Sequence, residues 1–453
     1  MKILKIAIIP LALYTACNTA NAALEVPLSL KGQSTTPEEV IIAITLDIVD
    51  SLSNIERTED QDNLYNALKY AVDNSENQDP DVIAAIADMY QAISPKKNTA
   101  NSIVVRKTPG TMKIKGIGKR LSALRKQSTR IGFFKSVYNS GSRDGSLYNT
   151  LPGYIKYNNP LEQGGLFDQR LSGFITGNFV SSKQSETGTE AGFDGGMQQL
   201  AFGADYRLNN KAFAGLALSL INGEVDLADN GGKLDNTAQT LLAYGTYSIE
   251  PNWYVDATIN YGARSFEMTR NIGFTLNNNQ TSVSSKSSPD SSYFGLSLGT
   301  GFDLNFNNGH NITLLAGLDY TDTTIDSFNE SNGTGFNLHV GQQDITSIQM
   351  NIGAEWRQAI STSFGVLLPQ FSATWVQEFE DKGDSINAYF ISDPNKNKIE
   401  FKAGNKDQGF MNLRLGVSAV LPKGLSLFTQ FETQQFVDDY QQYMISLGAR
   451  KEF

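Results

Sequence analysis

The sequence predicts a mainly β protein: a twelve-stranded antiparallel transmembrane β-barrel, preceded by a small α-helical segment and by a helix that runs through the pore. The barrel is predicted by a two-residue alternation. From Phe294 to Phe306 every even position is Phe, Leu or Thr, and every odd position is Gly, Ser, Asp or Asn. This period is that of a β-strand. A long apolar face opposite a small polar face suits a strand with lipid on one side and water on the other.

The same alternation recurs throughout the C-terminal part of the chain, residues 169–453. The predicted strands cover residues 169–182, 194–208, 211–225, 235–249, 252–266, 291–306, 311–322, 344–359, 362–380, 407–421, 424–436 and 441–453. Each is long enough to cross a bilayer, which takes about 9–11 residues. An open sheet edge in lipid leaves backbone groups unsatisfied, so we expect the last strand to pair with the first. A soluble all-β protein is the alternative, but it would need a second apolar face to bury.

The predicted connections alternate between short and long. The short ones are 208–211, 250–252, 307–310, a turn near Ser361, and 422–424. The long ones are 183–193, 226–234, 267–290, 323–343 and 381–406, with a shorter one at 437–440. Outer-membrane barrels have short periplasmic turns and longer external loops. We therefore expect both ends of the barrel to lie on the periplasmic side.

Residues 1–22 have the pattern of a secretory signal peptide. Two lysines precede an apolar run, and Ala20-Asn21-Ala22 gives a small-x-small cleavage site before Ala23. The apolar run is too short to span a bilayer, so cleavage between Ala22 and Ala23 is expected. The only cysteine, Cys17, follows a stretch that faintly resembles a lipoprotein cleavage site, and lipidation is the alternative interpretation.

Residues 23–112 are predicted to form a short acidic helical segment followed by a basic linker. Thr36-Pro37-Glu38-Glu39 is a capping box with proline at the first helical position. Further helices are expected over 60–74 and from Asp79-Pro80 onwards.

Residues 113–168 are predicted to hold the pore helix and a linker. Residues 95–135 contain twelve lysines and arginines and no carboxylate. Such a run often binds nucleic acid or an anionic surface, but in a secreted chain ahead of a barrel a helix in a polar lumen is the better explanation. The basic face comprises Lys119, Arg120, Arg125, Lys126 and Arg130, and the expected lumen carboxylates are Asp256, Asp303, Glu355, Glu378 and Glu432. A solvated linker or a segment bound to lipid headgroups is the alternative.

The layout of signal peptide, short N-terminal segment, linking helix and C-terminal barrel resembles an autotransporter. Residues 118–125, Gly-Lys-Arg-Leu-Ser-Ala-Leu-Arg, resemble the pore-helix stretch of the secreted serine-protease autotransporters. Residues 368–379 resemble a strand common in these barrels, and the resemblance covers 113–453. It implies a Gram-negative outer-membrane protein of type V secretion that exports or displays its N-terminal segment.

The resemblance also implies partners. They are outer-membrane lipid, periplasmic chaperones and the barrel-assembly machinery, which would read Phe453 as a C-terminal signal. Two departures from the family pattern matter. Lys115-Gly116 stands where self-cleaving relatives carry an Asn-Asn pair, so the chain should remain in one piece. The N-terminal segment is also too short for a β-helix or a protease domain.

The sequence offers few candidate residues for a catalytic site. His310 and His339 are the only histidines, and both fall in predicted connections. Gly383-Asp384-Ser385-Ile386 resembles the nucleophile block of GDSL esterases, but no histidine follows it. We predict no catalytic residue, no metal site, no cofactor and no nucleic-acid partner.

Three classes of function are compatible with these patterns. The first is a monomeric outer-membrane protein that displays its helical segment and external loops to an unknown surface ligand, without catalysis. The second is a porin-like solute channel in which the basic segment is a plug. The third is an outer-membrane enzyme, which the two histidines disfavour.

Overall fold

The computed structural model describes residues 36–107, 170–306, 309–380, 384–403 and 409–453. Most of the described chain is β-structure. In chain order the strands are β1 (Leu171–Gln184), β2 (Phe193–Arg207), β3 (Ala212–Leu227), β4 (Gly232–Glu250), β5 (Trp253–Leu276), β6 (Asn279–Ser287), β7 (Asp290–Asn305), β8 (His310–Ile325), β9 (Phe328–Asn329), β10 (Leu338–Val340), β11 (Gln343–Gln358), β12 (Ile360–Thr362), β13 (Gly365–Glu378), β14 (Asp384–Phe390), β15 (Ile399–Ala403), β16 (Gly409–Val420), β17 (Leu425–Gln435) and β18 (Tyr440–Glu452).

Twelve of these strands close into one antiparallel barrel. Its neighbours follow the chain through β1, β2, β3, β4, β5, β7, β8, β11, β13, β16, β17 and β18. The last strand then pairs with the first, with Ser172 opposite Glu452 and Gln184 opposite Tyr440. Closure pairs every strand on both sides, as a sheet in lipid requires. The predicted strand number and the predicted closure are both confirmed.

The two faces of the barrel differ as the alternation predicts. Large apolar side chains lie exposed on the outer face, among them Leu216, Tyr261, Leu298 and Leu415. The inward face carries many polar side chains, such as Asn260 and Gln430, together with some buried apolar ones, such as Met197 and Leu242. Glycines on this face leave room for tyrosine rings on the neighbouring strand, as Gly262 does for Tyr293, because a side chain at Gly262 would overlap that ring.

The strand ends agree with the predicted ones within a few residues, except on the side of the long connections. There β5 continues ten residues beyond its predicted end, to Leu276, and pairs with β6. The predicted connections 323–343 and 381–406 also contain strands, and β9, β10, β14 and β15 form a separate four-stranded sheet. The long connections thus hold strands that the sequence did not predict, and their apolar residues form a core beyond the barrel.

The described residues before the barrel, 36–107, form four helices and a 3-10 turn. They are α1 (Pro37–Ser53), α2 (Glu59–Asp73), α3 (Pro80–Ile93), the 3-10 turn Pro95–Asn98, and α4 (Thr99–Lys107). Thr36 and Glu39 form the predicted capping box of α1, and Asp79 caps α3 just before Pro80. The predicted helix starts are confirmed. In the part of the chain that the structure describes, no helix is long and apolar enough to cross a membrane.

Candidate functional site at the external mouth of the barrel

Helix α4 lies in the end of the barrel on the side of the long connections, which we name the external mouth. Its Ala100, Ile103, Val104 and Val105 are buried. They share one apolar cluster with side chains from seven barrel strands. These are Phe193, Val225, Leu227, Leu234, Phe266, Met268, Ile325, Ile345 and Tyr440. In the order of the barrel these strands run from β18 through β2–β5 and β8 to β11, so α4 lies inside the mouth and packs against most of its wall.

This position of α4 differs from the predicted linker. The run of lysines and arginines from residue 95 predicted a basic linker up to residue 112, followed by a pore helix. Its first part instead forms the 3-10 turn and α4. Lys96 and Lys97 contact the external structure: Lys96 pairs with Glu186 at 2.7 Å, and Lys97 donates to the carbonyl oxygen of Asn271.

Helices α1–α3 lie outside the mouth and share a second core with the barrel's external strands. We name this unit the external cap. It comprises α1–α3, the outer end of β5 with β6, and the sheet of β9, β10, β14 and β15. Ile41, Ile48, Leu52, Leu64, Leu68, Met89 and Ile93 from the helices pack with Ile272, Phe274, Leu338, Val340, Ile386, Phe390, Ile399 and Phe401 from the strands. The helices and the external strands therefore bury their apolar faces against each other.

A buried ion pair connects the helices to the external strands. Arg270 on β5 and Glu330 between β9 and β10 are 2.6 Å apart, and each side chain is 1% exposed. Arg270 also donates to the carbonyl oxygens of Ala92 in α3 and of Phe336. Ala92 lies in the last turn of α3, where the helix dipole favours a cation. Arg270 thus links α3, β5 and the loop before β10.

Glu330 accepts hydrogen bonds from several elements. Its donors are Arg270 Nε and Nη2, Asn98 Nδ2, Ser285 Oγ and the Leu338 amide. Burial by itself would raise the pKa of Glu330, but the positive charge of Arg270 and these hydrogen bonds outweigh it. The pKa of Glu330 therefore lies below its ordinary value, and the pair is charged at neutral pH.

Lys97 lies beside this pair, in an open cleft of about 900 Å³ between α3 and the β5–β6 hairpin. Burial, together with the positive charge of Arg270, lowers the pKa of Lys97 to about 8. Its ammonium group is therefore close to losing its charge under mildly alkaline conditions.

The structure places the five predicted lumen carboxylates on the inward faces of barrel strands, among other polar side chains of the barrel. Glu355 pairs with Arg357, and Glu432 pairs with Arg414 at 3.2 Å. Glu378 accepts from Ser347 Oγ and Gln349 Nε2, and Asp303 accepts from Thr313 Oγ1. Asp256 is half-buried on β5. Barrel residues thus already engage much of this negative charge.

The remaining predicted site residues fall into two groups. Ala22, Ala23 and the basic residues Lys119, Arg120, Arg125, Lys126 and Arg130 lie outside the described residues, so pairing of the basic face with the lumen carboxylates stays a prediction. Phe453 follows β18, and its amide donates to the carbonyl oxygen of Leu171 across the closing strand pair.

The two histidines do not come together. His310 begins β8 at a short turn and accepts from Trp356 Nε1, whereas His339 lies in β10 of the external cap and stacks on Tyr389. Ser385 lies on β14, paired with Lys402. Within residues 36–107 and the described parts of 170–453, no group of three His, Cys, Asp or Glu side chains could hold a metal ion.

The comparisons with known proteins decide the family. The autotransporter beta-domain family model matches residues 173–432, which is more than half of the chain. The chain belongs to the autotransporter family. The autotransporter barrel places this protein in the outer membrane, as predicted from its strands and connections.

Relatives and solved structures agree with this assignment. The chain is 22% identical over 180 residues to outer membrane protein B of Rickettsia japonica and to that of Rickettsia rickettsii, a region that covers 39% of this chain and 11% of each relative. The chain therefore spans only a small part of these relatives. The translocator domain of the autotransporter NalP from Neisseria meningitidis has the same fold, with a TM-score of 0.51 at 13% identity, over 73% of this chain and 98% of that one.

Sequence reasoning missed Arg270 and Glu330. Arg270 carried a weak signal, because it continues the inward, even-numbered positions of β5 past the predicted end of the strand. Glu330 carried none that we recognise, since it lies in a polar connection whose partners come from distant parts of the sequence.

Proposed function

We propose that this autotransporter displays its own helices α1–α3 as a retained external cap, with α4 closing the mouth, and that it acts without catalysis through a surface ligand that binds the cap. The shared core of helices and external strands is the observation that carries this proposal. A segment destined for release would have little reason to bury its apolar face against the barrel's own loops.

The buried Arg270–Glu330 pair supports retention as well. Separation of the helices from the barrel would remove Ala92 and Asn98 from these two charges. Separation would also expose Ile41, Leu64 and Met89, each of which is fully buried. Both changes cost free energy, so the docked state is favoured.

A porin-like channel is less well supported. Conduction needs a wet opening, and α4 instead places an apolar cluster inside the mouth. Catalysis is also less well supported, because the two histidines, His310 and His339, lie far apart, at a short turn of the barrel and in the external cap.

Single-cysteine labelling of intact cells tests the proposal. Glu76→Cys changes an exposed residue of the cap, and Asn210→Cys changes an exposed residue of a short turn. A membrane-impermeant maleimide should label the first variant and not the second, and the labelled chain should remain with the cells at nearly full length. Label at Asn210→Cys alone, or a labelled helical fragment in the medium, would contradict the proposal.

A further inference from the structure

Arg264 lies in the lumen wall just below α4 and has no counter-ion among the described residues. It faces inward on β5 and is 2% exposed. Phe266, two residues later on the same face, belongs to the cluster that packs against α4. Among the residues that the structure describes, no carboxylate pairs with Arg264, and its Nε and Nη1 have no hydrogen-bond partner. Its contacts are the rings of Phe266 and Tyr293, at 5.8 and 5.9 Å from the guanidinium carbon.

Two other buried polar groups lie next to Arg264 and also have unpaired atoms. Ser291 on β7 is its direct cross-strand neighbour, and Asn236 on β4 is diagonal to it, since Ala238 is the residue opposite. Such neighbours have Cβ atoms about 5 Å and about 7–8 Å apart. Ser291 Oγ and both side-chain amide atoms of Asn236 lack a partner, and the two residues are 4% and 1% exposed. The wall therefore presents several hydrogen-bond donors around one positive charge.

A buried ion without a partner is costly, because its lost hydration is not replaced. The lumen carboxylates do not supply that partner: Glu378 and Glu432, for example, are engaged elsewhere in the barrel. From this geometry we infer that Arg264, Ser291 and Asn236 form a binding site for a small inorganic anion of about the size of chloride. The flanking rings of Phe266 and Tyr293 restrict the size of the anion, and α4 covers the site on the external side.

Anion binding at this site should stabilise the folded barrel with α4 in place. A ligand that binds only the folded state raises its stability in a saturable manner. The full-length protein in detergent is heated in sodium chloride or in sodium gluconate at equal ionic strength, and the midpoint of its heat-dependent shift in electrophoretic migration is measured. We expect a saturable rise in chloride on the order of 2 °C. Arg264→Met should abolish the rise.

Arg414→Met is the matched control, because Arg414 is a lumen arginine that already pairs with Glu432. This variant should keep the chloride-dependent rise. Crystals of the wild-type protein soaked in bromide give a second measurement, with an anomalous peak expected within hydrogen-bond distance of the Arg264 guanidinium. Equal midpoints in chloride and gluconate, a rise retained in Arg264→Met, or bromide peaks only at other sites would each overturn the inference.

Discussion

Replacement of Glu330 by glutamine should loosen the external cap without opening the barrel. The substitution keeps the shape of the side chain but leaves Arg270, which is 1% exposed, without its negative partner. Removal of one partner of a buried ion pair costs about 3–5 kcal/mol, and each 1.4 kcal/mol is about a tenfold change in an equilibrium constant. The fraction of molecules with an undocked cap should therefore rise by a factor of between about 10² and 10⁴.

Limited trypsin digestion of the purified protein measures this fraction, because trypsin cleaves after arginine and lysine. Arg57 lies just before α2, and Lys69 lies within it. When opening and closing are fast, the cleavage rate follows the population of the open form. Cleavage in the cap should accelerate by about 100-fold or more in Glu330→Gln. Unboiled migration of the barrel should stay unchanged. An unaltered cleavage rate would refute the assignment of this pair as a main connection between cap and barrel.

Asp73→Asn is the matched control. Asp73 forms an exposed i,i+4 ion pair with Lys69 within α2, and such pairs contribute no more than about 0.5 kcal/mol to stability.

Acid provides a second comparison. Because the folded pKa of Glu330 is depressed, its contribution is present above the ordinary value of 4.5 and is lost as the pH falls through the folded pKa. Acid should therefore accelerate cleavage less in Glu330→Gln than in the wild-type protein, measured with pepsin, which is active at this low pH, whereas trypsin is not.

Four further predictions concern the cap, the plug and assembly. The folded pKa of Lys97 is lowered from 10.5 to about 8, so cap docking should strengthen as the pH rises from 8 towards 9.5, and Lys97→Met should remove this dependence in the digestion assay. Ile103→Asp puts a charge into the apolar cluster of α4 and should raise single-channel conductance in planar bilayers, whereas Ile55→Asp, at an exposed site, should not. Deletion of residues 113–135 should also raise the single-channel conductance, and an unchanged conductance would contradict the prediction that this segment is a plug helix. Deletion of Phe453 should lower the amount of barrel in the outer membrane, measured by immunoblot of membrane fractions, and an undiminished amount would count against its role as an assembly signal.

The sequence by itself determined the barrel and the helix starts. The alternation around Leu298 and the capping box at Thr36 act through a residue's nearest neighbours, and a strand between lipid and water shows its two environments directly as a period of two. The outer-membrane assignment followed from the same signal.

Only the tertiary structure decided what the helices pack against. Period and composition show that a helix such as α1 has an apolar face, but they do not identify the surface that covers it. The contacts of Glu330 join residues up to 232 positions apart in the sequence, and no local pattern encodes such a separation. The lysines around residue 97 likewise indicated only a basic linker, whereas α4 is held in the mouth by Ile103, Val104 and the barrel side chains that pack against them. Burial of these short apolar stretches depends on the closed barrel, which exists only once all twelve strands have come together.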